Sequence, residues 1–208
     1  WIAFLSGDLA LARQRLNHAA DTHLRLGDRN GVGWAFGLLA FVEFFEGRFT
    51  EAEALAGLVG EEARQRGDDW AASMMDTLLA DLRLWQGRLE EAASHAENAR
   101  ARFKKLNDKF GLIQALAPLV RAEVALGRHA AAQRTSEELT VLADTAQNGP
   151  FALMAVAGAA MHKGNASITV ATAERALAGI EATGGRAFEP QLVLAMGYIQ
   201  QGRVDDAL

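Results

Sequence analysis

Residues 79–92 read LADLRLWQGRLEEA, and residues 39–52, forty positions earlier, read LAFVEFFEGRFTEA. The same text recurs along the whole chain. Gly7, Gly47, Gly87 and Gly127 are spaced by 40 residues, and Gly164 and Gly202 follow after 37 and 38. The six glycines open the hexads GDLALA, GRFTEA, GRLEEA, GRHAAA, GNASIT and GRVDDA. An alanine stands five residues on at Ala12, Ala52, Ala92, Ala132 and Ala207, with Thr169 as the exception. A large–small pair precedes the turn at Leu39-Ala40, Leu79-Ala80, Leu119-Val120, Val156-Ala157 and Leu194-Ala195. Several offsets held in register at one period are the signature of a repeat architecture.

Each period reads as two helices. A residue without Cβ accepts the left-handed conformation that closes a helix, so each repeat glycine ends the first helix. About twenty residues later a second break follows, at Gly27-Asp28, Gly67-Asp68, Asn107-Asp108, Asn148-Gly149-Pro150 and Gly184-Gly185. Asp is a good N-cap for the next helix, and Pro150 and Pro190 suit first turns. In the second helix, positions 9, 12, 16 and 19 after the glycine share one face. After Gly87 these are Ala96, Ala99, Phe103 and Leu106; after Gly47 they are Ala56, Val59, Ala63 and Arg66. No segment shows sustained strand alternation.

Composition agrees with an ordered helical protein. The 208 residues are 50% hydrophobic and 23% charged, with net charge −5 and three prolines. That composition excludes intrinsic disorder. The longest charge-free stretch, Thr145 to His162, is interrupted by Gln147, Asn148, Gly149 and Pro150, so no segment offers the roughly 20 apolar residues of a membrane span. There is no cysteine, hence no disulfide framework and no thiolate metal site. The acidic balance argues against a nucleic-acid-binding surface over the whole domain.

Helix pairs with a large–small pair in the first helix, a glycine at the turn and an alanine five residues on resemble tetratricopeptide repeats. The resemblance covers essentially the whole chain. The period departs from the usual one, at 40 rather than about 34 residues. So does the position four before the glycine, which holds Glu43, Arg83, Glu123 and Ala160, with Tyr198 the one aromatic. The longer period, the GDR-type turn and the Ala/Leu/Arg-rich text are similar to the repeat regions of MalT/LuxR-type and AfsR/SARP-type bacterial transcriptional activators, and of multidomain proteins joining such repeats to a nucleotide cyclase or an NTPase. The resemblance implies an all-α, right-handed superhelical solenoid of antiparallel helix pairs. It would be a single array over residues 1–208 with about five repeats, turning at the six glycines and truncated within a repeat at both ends.

The chemistry-bearing residues do not assemble into a motif. His18, His23, His95, His129 and His162 are scattered, without the spacing of a helical metal site. His23 falls on the inward stripe of its helix and reads as a packed histidine. No serine sits in a nucleophile elbow. Gly31, Gly33 and Gly37 echo a dinucleotide loop, but no strand precedes them. The carboxylate pairs Glu51/Glu53, Glu61/Glu62 and Glu90/Glu91 suit helix ends and solvated faces, and Arg100, Arg102, Lys104, Lys105 and Lys109 compensate a helix C-terminus. The chain is therefore expected to be non-enzymatic, with no cofactor and no metal.

By the same resemblance, the first helices line a concave groove. Residues 13, 10, 6 and 3 before each glycine share one face. They are Trp34, Gly37, Phe41 and Phe44; Met74, Thr77, Asp81 and Leu84; Gln114, Ala117, Arg121 and Val124; Phe151, Met154, Gly158 and Met161; and Glu189, Leu192, Met196 and Ile199. Four of the five methionines lie on it, with four aromatics. Such a surface suits adaptable binding of apolar segments, or else packs against neighbouring repeats. Asp81 and Arg121 share one offset in adjacent repeats and would pair across the groove. Pro118 either kinks its helix and frees the Gln114 carbonyl, or marks a helix that starts later.

The expected function is a cytoplasmic protein-interaction or sensor module of a larger bacterial signalling or transcriptional regulator. Its partner would be a protein, a peptide or a small effector, with no nucleic acid and no membrane. The alternative is a self-association scaffold, a homo-oligomer formed through open solenoid ends or convex faces.

Overall fold

All six repeat glycines have left-handed backbone, with φ between 71° and 75°. Across each one, the N–H of the following residue donates to the carbonyl four residues before the glycine. The pairs are Asp8–Ala3, Arg48–Glu43, Arg88–Arg83, Arg128–Glu123, Asn165–Ala160 and Arg203–Tyr198, all at 2.8–2.9 Å. This bond satisfies a carbonyl that the helix end would otherwise orphan. The computed structural model describes residues 2–5, 7–145, 149–182 and 188–207. The breaks expected at Asn148 and Gly184-Gly185, and the side chains of Phe151 and Glu189, lie outside the described residues.

The chain is all-helical, with no strand among the described residues. It divides into two compact units. The first, Trp1–Leu106, holds α1 (Ile2–Leu5), α2 (Leu9–Leu26), α3 (Arg29–Phe45), α4 (Phe49–Arg66), α5 (Asp69–Trp85) and α6 (Leu89–Leu106). The second, Asn107–Leu208, holds α7 (Lys109–Ala125), α8 (His129–Thr145), α9 (Gly149–His162), α10 (Ala166–Ala182), α11 (Phe188–Gln200) and a short 3₁₀ turn, Asp205–Ala207. Within each unit every helix packs on the next in sequence. First helices of neighbouring repeats also touch, α3 on α5 and α9 on both α7 and α11. That is the packing of a helical-repeat solenoid.

The caps form as the sequence implies. Asp8, Asp28, Asp68 and Asp108 accept the N–H of Leu11, Gly31, Ala71 and Gly111 at 2.9–3.0 Å. Small residues carry the helix contacts. Ala52, Ala56, Ala63, Ala92, Ala96 and Ala99 are fully buried, and Leu78, Leu82 and Phe103 fill the space between them. Burying each of these large side chains stabilises the fold by ~1.5–3 kcal/mol.

Two expectations are corrected. Position 19 of the second helix does not belong to the buried face, because Leu106 is 41% exposed and Arg66 is also on the surface. Each is the last residue of its helix, where the packed face ends at the turn. The helix containing Pro118 does not start later. It begins at Lys109 and continues through Pro118, which is buried in its middle.

Candidate functional site

The glycines of α3 are explained by what lies against them. His23 is the packed, structural histidine its stripe implied, half-buried against the start of α3. Its Nδ1 meets Asp28 Oδ2 at 2.9 Å, and its ring occupies the space a Cβ on Gly31 would need. The Gly31 N–H and His23 together hold the Asp28 carboxyl below the usual carboxylate range. Two residues on, a Cβ on Gly33 would lie 3.3 Å from the Arg66 guanidinium. A turn further, a Cβ on Gly37 would stand 3.6 Å from Met75 Cε and 3.8 Å from Val59 Cγ1.

Gly33 and Gly37 thereby open a cleft of about 570 Å³ within the first unit. Phe41, Val59, Met74 and Met75 are among its apolar walls, and Asn30, Arg66 and Asp68 supply polar groups at one end. Trp34 and Trp70 stack in its wall, with ring centroids 5.6 Å apart and planes 18° from parallel. Trp34 remains 58% exposed. The two tryptophans meet because they lie 13 and 17 residues before Gly47 and Gly87, one helical turn apart on adjacent first helices. A cavity of this size with apolar walls and few polar groups is the usual form of a small-ligand site.

Of the residues on the expected groove face, Trp34, Gly37, Phe41 and Met74 converge on this cleft. Phe44 packs instead into an aromatic cluster, 5.5 Å from Phe45 and 5.7 Å from Phe49. Phe49 stacks on Trp85 at 6.1 Å, and Trp85 is 66% exposed. Thr77 is buried, with its hydroxyl donating to the Ser73 carbonyl at 3.0 Å. Asp81 and Leu84 are half-buried on α5, in the first unit; Gln114 and Arg121 are half-buried on α7, in the second. Met154 and Met161 pack against Ala157, Ala173 and Val193, while Leu192, Met196 and Ile199 are exposed on α11. Trp70, Val59, Arg66 and Met75 were not anticipated from the groove offsets. Two glycines four residues apart inside one helix were the available signal, since glycine in a helix interior costs about 1 kcal/mol against alanine.

Charged groups form three further arrangements in this unit. Where the resemblance leads one to expect an aromatic, Glu43 is buried and paired with Arg13 and Arg48, and both arginines also reach Glu46. One repeat later the signs invert. Arg83 is buried and pairs with Glu53 at 2.7 Å and Glu91 at 3.4 Å. Hydrogen bonds from Arg83 and from Gln86, the latter at 2.9 Å, hold the Glu53 carboxyl below its ordinary range. Separately, Asp76 is 4% exposed and meets His95 Nδ1 at 3.0 Å, Arg102 at 2.5 Å and Arg64 at 3.8 Å. Arg102, read as part of a helix-end basic run, is thus turned onto a buried carboxylate. Arg100 pairs with Glu97 at 3.0 Å. No cluster of three or more metal-ligating side chains occurs among the described residues. No described helix is long and apolar enough to cross a membrane.

No family model matches the chain. It is 30% identical over 112 residues to the regulatory protein AfsR of Streptomyces griseus, a match covering 54% of this chain and 12% of that protein. The matched half of the chain therefore corresponds to a small segment of that relative. Among solved structures, it is similar to BtubC (BKLC) from P. vanneervenii, with a TM-score of 0.60 and 20% identity over 96% of this chain and 86% of that one. The second likeness shows the fold, that of a helical-repeat chain, and the first relates about half the chain to part of a regulatory protein.

Proposed function

We propose that the chain is a non-catalytic binding module of a larger bacterial regulatory protein, of tetratricopeptide-like type, working in the cytoplasm. It captures a peptide segment or small effector in the Trp34–Trp70 cleft. The cleft itself carries this reading. Glycines at positions 33 and 37 sacrifice helix propensity to keep open a space that larger side chains would fill. Because α3 and α5 form its walls, a ligand that wedges between them changes the packing of adjacent repeats. That change is a means of biasing a domain elsewhere in a larger protein. The similarity to a segment of AfsR supports the regulatory setting.

The test is a fragment screen read by the indole N–H resonances, comparing the native chain with Gly37→Leu. Fragments that shift Trp34 and Trp70 in the native chain and lose at least about tenfold in affinity in the variant support the reading. If no fragment binds, or if Gly37→Leu binds as well as the native chain, the cleft is not a ligand site.

A second reading has its own observation. Phe45, Phe49 and Trp85 form an exposed aromatic ridge near the turns that end α3 and α5. Exposed apolar patches of this kind mark association surfaces. Under this reading the chain is a self-association scaffold. Molar mass measured over a dilution series would then fall with concentration, and Trp85→Lys would hold the chain monomeric.

A further inference from the structure

We propose that the cleft recognises a carboxylate on an apolar body, with Arg66 as the residue that reads the charge. This deepens the binding-module reading and rests on it. Arg66 is the one cation among the described residues that line the cleft. Its guanidinium lies beside the Gly33 backbone, where the missing Cβ leaves it room. Its ion pairs are long, 3.8 Å to Glu62 and 4.0 Å to Asp68, so neither acid reaches hydrogen-bond distance. The guanidinium thus has donors to offer a better-placed acceptor.

Asp68 does not compete strongly for that position. Its Oδ1 accepts the Ala71 N–H at 3.0 Å as the cap of α5, which ties the side chain to the helix end. The first turns of α3 and α5, through Asn30, Gly33, Trp70 and Ala71, line the same end of the cleft. Both helix starts already carry a carboxylate cap, Asp28 on α3 and Asp68 on α5, so the charge that an incoming anion meets is that of Arg66. Away from this end the lining is apolar. Phe41, Val59, Met74 and Met75 would hold an aryl or alkyl group, and the thioethers adapt to its shape. A guanidinium grips a carboxylate through two parallel N–H···O bonds. The site therefore separates an acid from its amide of equal size.

Two sources supply this chemistry: a free aryl or alkyl acid, and the C-terminal carboxylate of a peptide ending in an aromatic residue. The experiment uses the full chain. Probes are 3-phenylpropionate, 3-phenylpropionamide, and glycyl-glycyl-phenylalanine with a free or an amidated C-terminus. Affinities are read from the Trp34 and Trp70 indole resonances. The acids bind at least about tenfold more tightly than the amides. Arg66→Gln reduces that ratio to within about twofold, chiefly by weakening the acids, while Arg66→Lys retains an intermediate preference. A tighter free acid assigns the source as a small effector; a tighter peptide assigns it as a chain terminus. A thermal midpoint for each variant confirms that it is folded. Equal affinity of acid and amide overturns the carboxylate inference and leaves the cleft reading standing. So does a preference that survives Arg66→Gln. If neither acid nor amide binds, both fall.

Discussion

At the residue scale, glycines with the same side chain carry unlike tasks. A Cβ on Gly87 would meet nothing within 4 Å, yet the backbone there has φ +71°. Its replacement cost is purely conformational. Gly87→Ala should destabilise by about 1–2 kcal/mol. Gly57, inside α4 with equally open space and ordinary helical backbone, should gain about 0.5–1 kcal/mol on mutation to alanine. Denaturant melts of the two variants measure both signs. A third kind of glycine appears at Gly37, where a methyl would make ordinary contact with Met75 and Val59. Gly37→Ala should hold or raise stability while weakening ligand capture, which separates the function of that glycine from any need of the fold. Asp76 makes the opposite case, a polar residue held in place by its partners. Removing it in Asp76→Ala leaves Arg102 and His95 to rehydrate at the surface, and should cost roughly 1–3 kcal/mol.

At the scale of the helix pair, the inverted charges define a register. Arg13–Glu43 and Glu53–Arg83 are each 30 residues apart, joining a second helix to the first helix of the next repeat with opposite polarity in successive repeats. Arg83→Glu alone places like charges together and destabilises. Adding Glu53→Arg restores the pair, and the coupling in a double-mutant cycle should fall within about 0.5–3 kcal/mol. Acid weakens the same contact. Because Arg83 and Gln86 lower the Glu53 carboxyl in the folded chain, the stability it contributes is fully present above its unfolded value. It is lost as pH falls through the lowered folded value. Glu53→Gln should flatten that part of the acid unfolding curve.

The helices, turns and Asp caps were legible because each is encoded within a few residues: glycine for the left-handed turn, Asp three residues before the N–H it caps. The charged pairs were visible only as a missing aromatic at Glu43 and Arg83. Their partners lie 30 residues away, and periodicity alone does not pair them. The cleft was half legible. Trp34, Phe41 and Met74 sit on the face that helical spacing selects. Trp70 and Arg66 come from a different offset and a different helix, and only the packing of α3, α4 and α5 brings them in.

At the scale of the whole chain, stability in a repeat array is a sum of local interfaces. Leu78→Ala removes a fully buried side chain of the first unit and should cost about 2–5 kcal/mol. Hydrogen exchange should show that loss concentrated in α3 to α6, with α9 to α11 little changed. The functional account has the same local character, since the cleft and every residue assigned to it belong to the first unit. Its most direct test is titration of the native chain with 3-phenylpropionate, followed at the indole resonances of its four tryptophans. The account predicts saturable shifts of Trp34 and Trp70, with Trp85 unmoved as the internal control. Shifts confined to Trp85, or none at any tryptophan, would contradict it.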